Sequence, residues 1–384
     1  MTMRNEPIRV AQIIGKLASA GVEAVVNNYW RHMDREAFRF DFYIDEDSVC
    51  EPPREMTEAG AVYRTIPSSS HPAARVKALT ALLKQYPPQI VHSHMNSLNA
   101  VSLYAARKAG IPVRISHSHS TSDRQEGLRA AAKEILRRTG SWFATDRMAC
   151  GDKAARWLFG DRAVNTGEVF ILPNAIDAER YRFSPEARTR IRQELGLADA
   201  FVIGHVGRFM KQKNHAFLIR AFAALRAKRA DAALLLVGDG ELRPEAEKLV
   251  RDLGLEGSVI FTGNRKDAAD LYSAMDVFAL PSLYEGFPVV GIEAQANGLP
   301  CLFSDHVTKE IGAAGNAEFI RLDAEAWAER MSREAAGTDA DVRSRMSGKT
   351  EGSVYDLRRS GDLLGNWYRN RLQTWCDQEK RKQS

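Results

Sequence analysis

Two cations, two acids and two histidine pairs pose the chemical question. Arg208 and Lys213 flank a short loop in "GHVGRFMKQKNH" (204–215), which leaves an apolar run and enters a helix-like segment near Asn214. Helix N-terminal amides and two positive side chains converging on one point make an anion site. Taken alone, the same residues read equally well as solvated loop charges. Seven residues separate Glu285 from Glu293 in "EGFPVVGIE", directly after the apolar run of "DVFALPS". That run reads as a buried strand, and 289–297 reads as a helix stopped by Gly298-Leu299-Pro300. Glu285 therefore falls in a strand-to-helix turn and Glu293 about one turn into the helix. This is the carboxyl edge at which open α/β sheets hold ligands. Alone, the two could be plain surface acids near a helix start. His92-x-His94 and His117-x-His119 each close a predicted strand, and a period of two puts both members of a pair on one face. His-x-His is a possible metal half-site, but no third ligand follows at a recognisable spacing. The pairs read instead as polar lining, with at least one imidazole buried and hydrogen-bonded.

The elements that must position these residues alternate strand and helix. Apolar runs lie at 8–14, 40–44, 61–66, 89–94, 113–119, 147–150 and 169–174, with amphipathic stretches between them. After a polar, charge-rich passage (177–200) the alternation restarts with FVIGHV, ALLLVG, SVIFTG, VFAL, CLFS and AEFI. Such alternation specifies parallel sheets covered on both faces. The expected fold class is α/β, with two doubly wound Rossmann-like domains, 1–180 and 181–360, facing a central cleft. The helix of about 361–384 is expected to return to the first domain, because "GDLLGNWYRNRL" has amphipathic spacing.

Glycines punctuate the strand ends. Gly207 frees the turn before Arg208, Gly238 and Gly240 are expected to let backbone approach a ligand, and Gly15 and Gly21 bracket the loop after the first strand. No G-x-G-x-x-G follows the first strand of either half, which disfavours an NAD(P)-linked dehydrogenase. The chain has 384 residues, a net charge of +5, 44% hydrophobic and 27% charged residues. These values fit a globular protein of two domains. The N-terminus lacks a signal-peptide layout, and four scattered cysteines (50, 150, 301, 376) suit a reducing compartment.

With the ordered set GR…K, GDG and E-x7-E, together with HSHS, ILPNAID and GLPCLFSD, the sequence resembles the retaining, nucleotide-sugar-dependent glycosyltransferases of the "group 1" family, which have the GT-B fold. It is most similar to bacterial members that build capsular and extracellular polysaccharides. The resemblance implies that Arg208 and Lys213 hold the donor diphosphate and that Glu293 binds the ribose hydroxyls. Glu285 and the segment Gly286, Phe287, Pro288 and Val289 would contact the donor sugar and its phosphate. Gly207 and Gly238 would line the donor site, Asn264 and Arg265 would face the base, and Gly21 would lie near the diphosphate. The family's catalytic histidine corresponds to His119 or His117, with His119 the preferred match. Departures fall at Ala20, at Asn174-Ala175 and at Thr308-Lys309 ahead of Glu310, which puts the loop contacts of Gly21 and Glu310 in doubt. Asp45-x-Asp47 resembles the metal-binding DxD of the other main glycosyltransferase architecture and reads here as solvated surface.

The implied reaction moves a sugar from a nucleotide-diphosphate sugar, expected to be a UDP-sugar, to a saccharide or lipid-linked acceptor. No metal and no cofactor beyond that co-substrate is expected. A GT-B epimerase would not need an acceptor, and a phosphorylase would need a pyridoxal-phosphate lysine motif that the sequence lacks. A non-catalytic sugar-binding protein would have no use for the four charged residues as a set. Nucleic acid is not an expected partner. The expected location is the cytoplasm, with a peripheral contact to the inner membrane through Arg124, Arg129, Lys133, Arg137 and Arg138, or else a solvated helix there.

Overall fold

The fold was analysed in a computed structural model that describes residues 6–17, 21–119, 139, 141–312, 314–333 and 339–383. The chain forms two compact units, residues 1–175 with 357–384 and residues 176–356. The breaks fall a few residues ahead of 180 and 360.

Among its described residues, the first unit carries seven parallel strands: β1 (Ile8–Gly15), β2 (Phe38–Asp45), β3 (Val62–Ile66), β4 (Ile90–Ser93), β5 (Val113–Ser118), β6 (Asp146–Ala149) and β7 (Val169–Ile171). Their order is β3-β2-β1-β4-β5-β6-β7. The second unit carries β8 (Phe201–Val206), β9 (Ala232–Val237), β10 (Val259–Gly263), β11 (Val277–Leu280), β12 (Cys301–Ser304) and β13 (Ala317–Ile320), ordered β10-β9-β8-β11-β12-β13. Each order reverses once, between β1 and β4 and between β8 and β11. Successive crossovers leave the sheet in opposite directions there, so the strands' carboxyl ends part and open a crevice. The loops after β8 and β11 are those carrying Arg208, Lys213 and Glu285.

Burial explains why the apolar runs became strands. All six residues of β9 (AALLLV) are buried, as a parallel strand covered on both faces requires. Beneath β8 and β9 lies a core of Phe201, Ile203, Leu234 and Leu236, closed by Leu218 and Phe222 of the helix His215–Lys228 and by Trp327 of the helix Ala324–Arg333. The charge-rich passage 177–200 folds as part of the second unit. Ser184 caps a helix, Pro185–Glu194, by accepting from the Ala187 amide. Arg188 and Arg192 of that helix pair with the buried Asp276 at 2.5 and 2.6 Å, holding the helix to the start of β11.

The long helix Leu357–Gln383 packs within the first unit. Tyr368 is fully buried, Trp367 lies 5.9 Å from the Phe170 ring, and Arg371 pairs with Asp146 at 2.5 Å. Asp45 departs from the sequence reading. It is 2% exposed and pairs with the equally buried Arg75 at 2.5 Å, a partner from the helix Pro72–Gln85 that neutralises an otherwise costly charge.

Candidate active site

The loop after β8 is tied to the loop after β9. Gly207 N–H donates to Val237 O, Phe209 N–H to Asp239 O, and Leu242 N–H to Phe209 O, all at 2.9–3.0 Å. Gly238 (φ +133°) makes this possible, because a Cβ there would stand 2.3 Å from Gly207 O; a Cβ on Gly240 would stand 2.5 Å from Phe209 O. The close approach expected of these glycines is therefore made to the neighbouring turn. Their effect on a ligand would be exerted through the shape of the Arg208 loop.

That loop presents its two cations differently. Lys213 ends a single 3-10 turn, and Asn214 follows in the left-handed region (φ 57°) before the helix begins. Lys213 Nζ lies 2.6 Å from Glu285 Oε1, with the two side chains 15% and 8% exposed. Glu285 also accepts from Ser282 Oγ at 2.8 Å and from Gln212 Nε2 at 3.0 Å. The lysine is thus fixed by a carboxylate that is itself fixed. Arg208 is more than half exposed and lies 3.6 Å from Glu241. Under the loop, His205 donates from Nδ1 to Ala279 O (2.8 Å) and His215 stacks on Phe209, ring centroids 3.9 Å apart. Burial lowers both imidazoles, to about 4 and about 2, so the layer beneath the cations is neutral.

Glu293 is half-buried in the helix Val289–Ala296. Tyr272 donates its hydroxyl to Oε2 at 2.6 Å, and Tyr181 also hydrogen-bonds the carboxyl. Burial raises the Glu293 carboxyl above its usual range, against the opposing pull of the two phenols. Gly286, Phe287 and Pro288 are buried, with Phe287 stacked on Tyr355 at 5.7 Å, and Val289 opens the helix. Asn264 is exposed. The Arg265 guanidinium is already engaged by Glu194 (2.6 Å) and Asp267 (2.7 Å), which limits its reach toward any base.

In the first unit, Gly21 opens the helix Gly21–His32, with no heavy atom within 4 Å of its Cβ direction. His92, His94, His117 and His119 come together because β4 and β5 are neighbours, and each is at most 6% exposed. Across the strands, His92 Nε2 meets His117 Nδ1 at 2.9 Å and His94 Nδ1 meets His119 Nε2 at 2.8 Å. Tyr368 OH lies 2.7 Å from His92 Nδ1, and Gln12 Oε1 accepts from His94 Nε2 at 2.8 Å. Asn174 hydrogen-bonds His119. Burial pushes all four imidazoles well down, His119 to about 3, so they are neutral. Ala20 and the basic residues Arg124, Arg129, Lys133, Arg137 and Arg138 lie outside the described residues.

The profile described as "Glycosyl transferases group 1" matches residues 200–335, and that of the "Glycosyl transferase 4-like domain" matches 20–175. The chain is 36% identical over 350 residues to EpsF of Bacillus subtilis, provisionally assigned as a glycosyltransferase, covering 87% of this chain and 89% of that protein. The chain belongs to the group 1 glycosyltransferase family. It is also 29% identical over 236 residues to the UDP-Gal:alpha-D-GlcNAc-diphosphoundecaprenol alpha-1,3-galactosyltransferase of Escherichia coli, with 59% of this chain and 60% of the relative covered. HepE of Anabaena, crystallised with UDP, superposes with a TM-score of 0.77 at 18% identity over 94% of this chain and all of the other, a likeness of fold. Within this group 1 glycosyltransferase, the set Arg208, Lys213, Glu285 and Glu293 falls at one sheet edge of the second unit, as its spacing led one to expect. Gln212, Ser282, Tyr181 and Tyr272 were not found from sequence. Gln212 and Ser282 had a signal, being polar residues inside the same two turns. The tyrosines had none, since they reach Glu293 from other elements.

Proposed function

We propose that this chain transfers a sugar from a nucleotide-diphosphate sugar, UDP-linked, to a saccharide or lipid-linked saccharide in surface polysaccharide assembly, with retention of configuration and without a metal at the donor site. The observation that carries the reading is the Lys213–Glu285 pair at the β8/β11 switch point, with Arg208 exposed on the same loop. In the transfer, the bond from the anomeric carbon to the diphosphate oxygen breaks and a bond to an acceptor oxygen forms. The acceptor's proton leaves to a base, and negative charge collects on the departing diphosphate. Lys213 and Arg208 would stabilise that charge from positions set before the reaction, and the helix N-terminus at Val289 would add its dipole. Glu293, steadied by two phenols, would take the ribose hydroxyls. His119 would act as a neutral hydrogen-bonding group rather than as an imidazolium.

The UDP donor is supported by the UDP bound to HepE and by the donor named for the Escherichia coli relative, whose name also carries a polyprenol-diphosphate acceptor. Among the described residues, no helix is long and apolar enough to cross a membrane. A peripheral membrane contact is supported by Trp142, 71% exposed, near an aromatic pair (Tyr104 and Phe143, 5.0 Å apart) over which Lys108 and Arg107 stand. Failure of the protein to float with anionic vesicles would remove that contact.

The test of the donor site is binding of UDP, GDP and ADP without added divalent ions, by calorimetry and thermal shift. Wild type should be stabilised by UDP, and Arg208→Ala/Lys213→Ala should lose the effect while keeping its fold. A well-folded wild type that binds none of the three would overturn the reading.

A further inference from the structure

We propose that His92, His94 and His117 form a binding site for one divalent transition-metal ion of the zinc class inside the first unit. Their ligand atoms lie within 4.8 Å of one another, on the same face of two paired strands, and each residue is at most 5% exposed. Two imidazole nitrogens on one tetrahedral zinc stand roughly 3.3–3.4 Å apart, given Zn–N bonds of about 2.0–2.1 Å. The 2.9 Å contact between His92 Nε2 and His117 Nδ1 needs to open by only about half an ångström as the ion replaces the shared proton. His94 must close the larger gap, by rotation about its soft terminal torsion.

Three further observations favour a ligand here over inert polar packing. Tyr368 holds His92 by Nδ1 and Gln12 holds His94 by Nε2, so the opposite nitrogen of each ring faces another imidazole, His117 for His92 and His119 for His94, and an ion would displace those two contacts. Outer partners of this kind fix the orientation of metal-bound imidazoles. His117 Nε2, on the far side of the ring from the His92 contact, is buried with no hydrogen-bond partner among the described residues, so the ring has no bond on that side to give up as it turns toward an ion. The same histidines line a cavity of about 10 Å³, the space of one water. Neutral imidazoles leave the ion its full double charge, so that space is suited to a hydroxide as the remaining ligand. The two-residue spacing on each strand supplies only half-sites. The site exists because the sheet order sets β4 beside β5, in a unit other than the one carrying Lys213 and Glu285.

The test uses the full chain without a histidine tag, stripped with chelator and titrated with Zn²⁺, then with Co²⁺ as a spectroscopic probe. Wild type should take up one ion per chain and melt at a higher temperature with Zn²⁺ present. Gln12→Ala should bind about 10- to 100-fold more weakly, and His117→Gln should not bind stoichiometrically. X-ray absorption of the zinc-loaded wild type should show at least three imidazole nitrogens. This measurement decides the matter even if the histidine variant does not fold. No saturable uptake by wild type, uptake unchanged in His117→Gln, or fewer than three imidazoles on the ion would each overturn the site.

Discussion

Replacing Lys213 by methionine keeps most of the length of the side chain and removes the charge that Glu285 holds at 2.6 Å. Hydrogen bonds involving charged groups contribute about 1.5–3 kcal/mol, and Glu285 would retain Ser282 and Gln212. The second unit should therefore lose about 1.5–3 kcal/mol of stability. If Lys213 makes a bond of the same class to a diphosphate, UDP should bind roughly 10- to 150-fold more weakly, since every 1.4 kcal/mol is tenfold. Turnover should fall by about 10²–10³, the usual cost of one preorganised donor. Glu285→Gln separates structure from recognition. It too weakens the pair and lowers the melting temperature, but it releases the lysine from a competing carboxylate. UDP, which lacks the transferable sugar that Glu285 would contact, should then bind more tightly than to wild type. Calorimetry with UDP, read beside urea unfolding, gives both numbers. If both variants lose stability while UDP affinity stays at the wild-type value, Lys213 is a structural cation. If Glu285→Gln weakens UDP as much as Lys213→Met does, the acid positions the lysine and does not compete for it. Either result refutes the reasoning.

Acid should loosen the same loop from beneath. His205 and His215 are lowered by burial to about 4 and about 2, whereas in the unfolded chain each titrates near 6.5. Their contribution is complete above pH 6.5 and is lost as pH falls toward the folded values, amounting to about 3 kcal/mol for the pair at pH 5.5. The stability difference between wild type and His205→Gln/His215→Gln should shrink accordingly between pH 7.5 and 5.5; a constant difference would refute the assignment. Gly238→Ala would place a Cβ 2.3 Å from Gly207 O at φ +133° and should cost more than about 2 kcal/mol together with nucleotide binding. Gly254→Ala, also at positive φ but with nothing within 4 Å, should cost about 1 kcal/mol and leave binding intact. Equal losses in the two, by urea unfolding, would mean that the contact with Gly207 is immaterial.

Features confined to one turn or one strand are legible in the sequence, and features needing a partner from elsewhere are not. The runs AALLLV and VFAL announce strands by continuous apolarity, and E-x7-E announces a strand-turn-helix by its glycine and proline. Strand order is another matter: a period of two puts His92 and His94 on one face, but nothing in the spacing makes β5 the neighbour of β4. Asp45 reads as a solvated acid because the charge that neutralises it, Arg75, lies on a later helix. The passage 177–200 reads as a boundary between domains because its arginines answer to Asp276, which the chain supplies some eighty residues on. Gly238 and Gly240 are recognisable as positions of close approach, but the second surface is another turn of the same sheet.

The path of the chain has a consequence for its biosynthesis. The second unit is one continuous segment, 176–356, whereas the first is assembled from the segments on either side of it, 1–175 and 357–384. Domains fold as units while the chain emerges, so the segment made later can complete its core first. The amino-terminal sheet must wait until the final helix delivers Tyr368 to His92 and Arg371 to Asp146. A nascent chain released before residue 357 would carry a finished second unit and an open imidazole row, and translation stalled there would expose a buried polar core to chaperones.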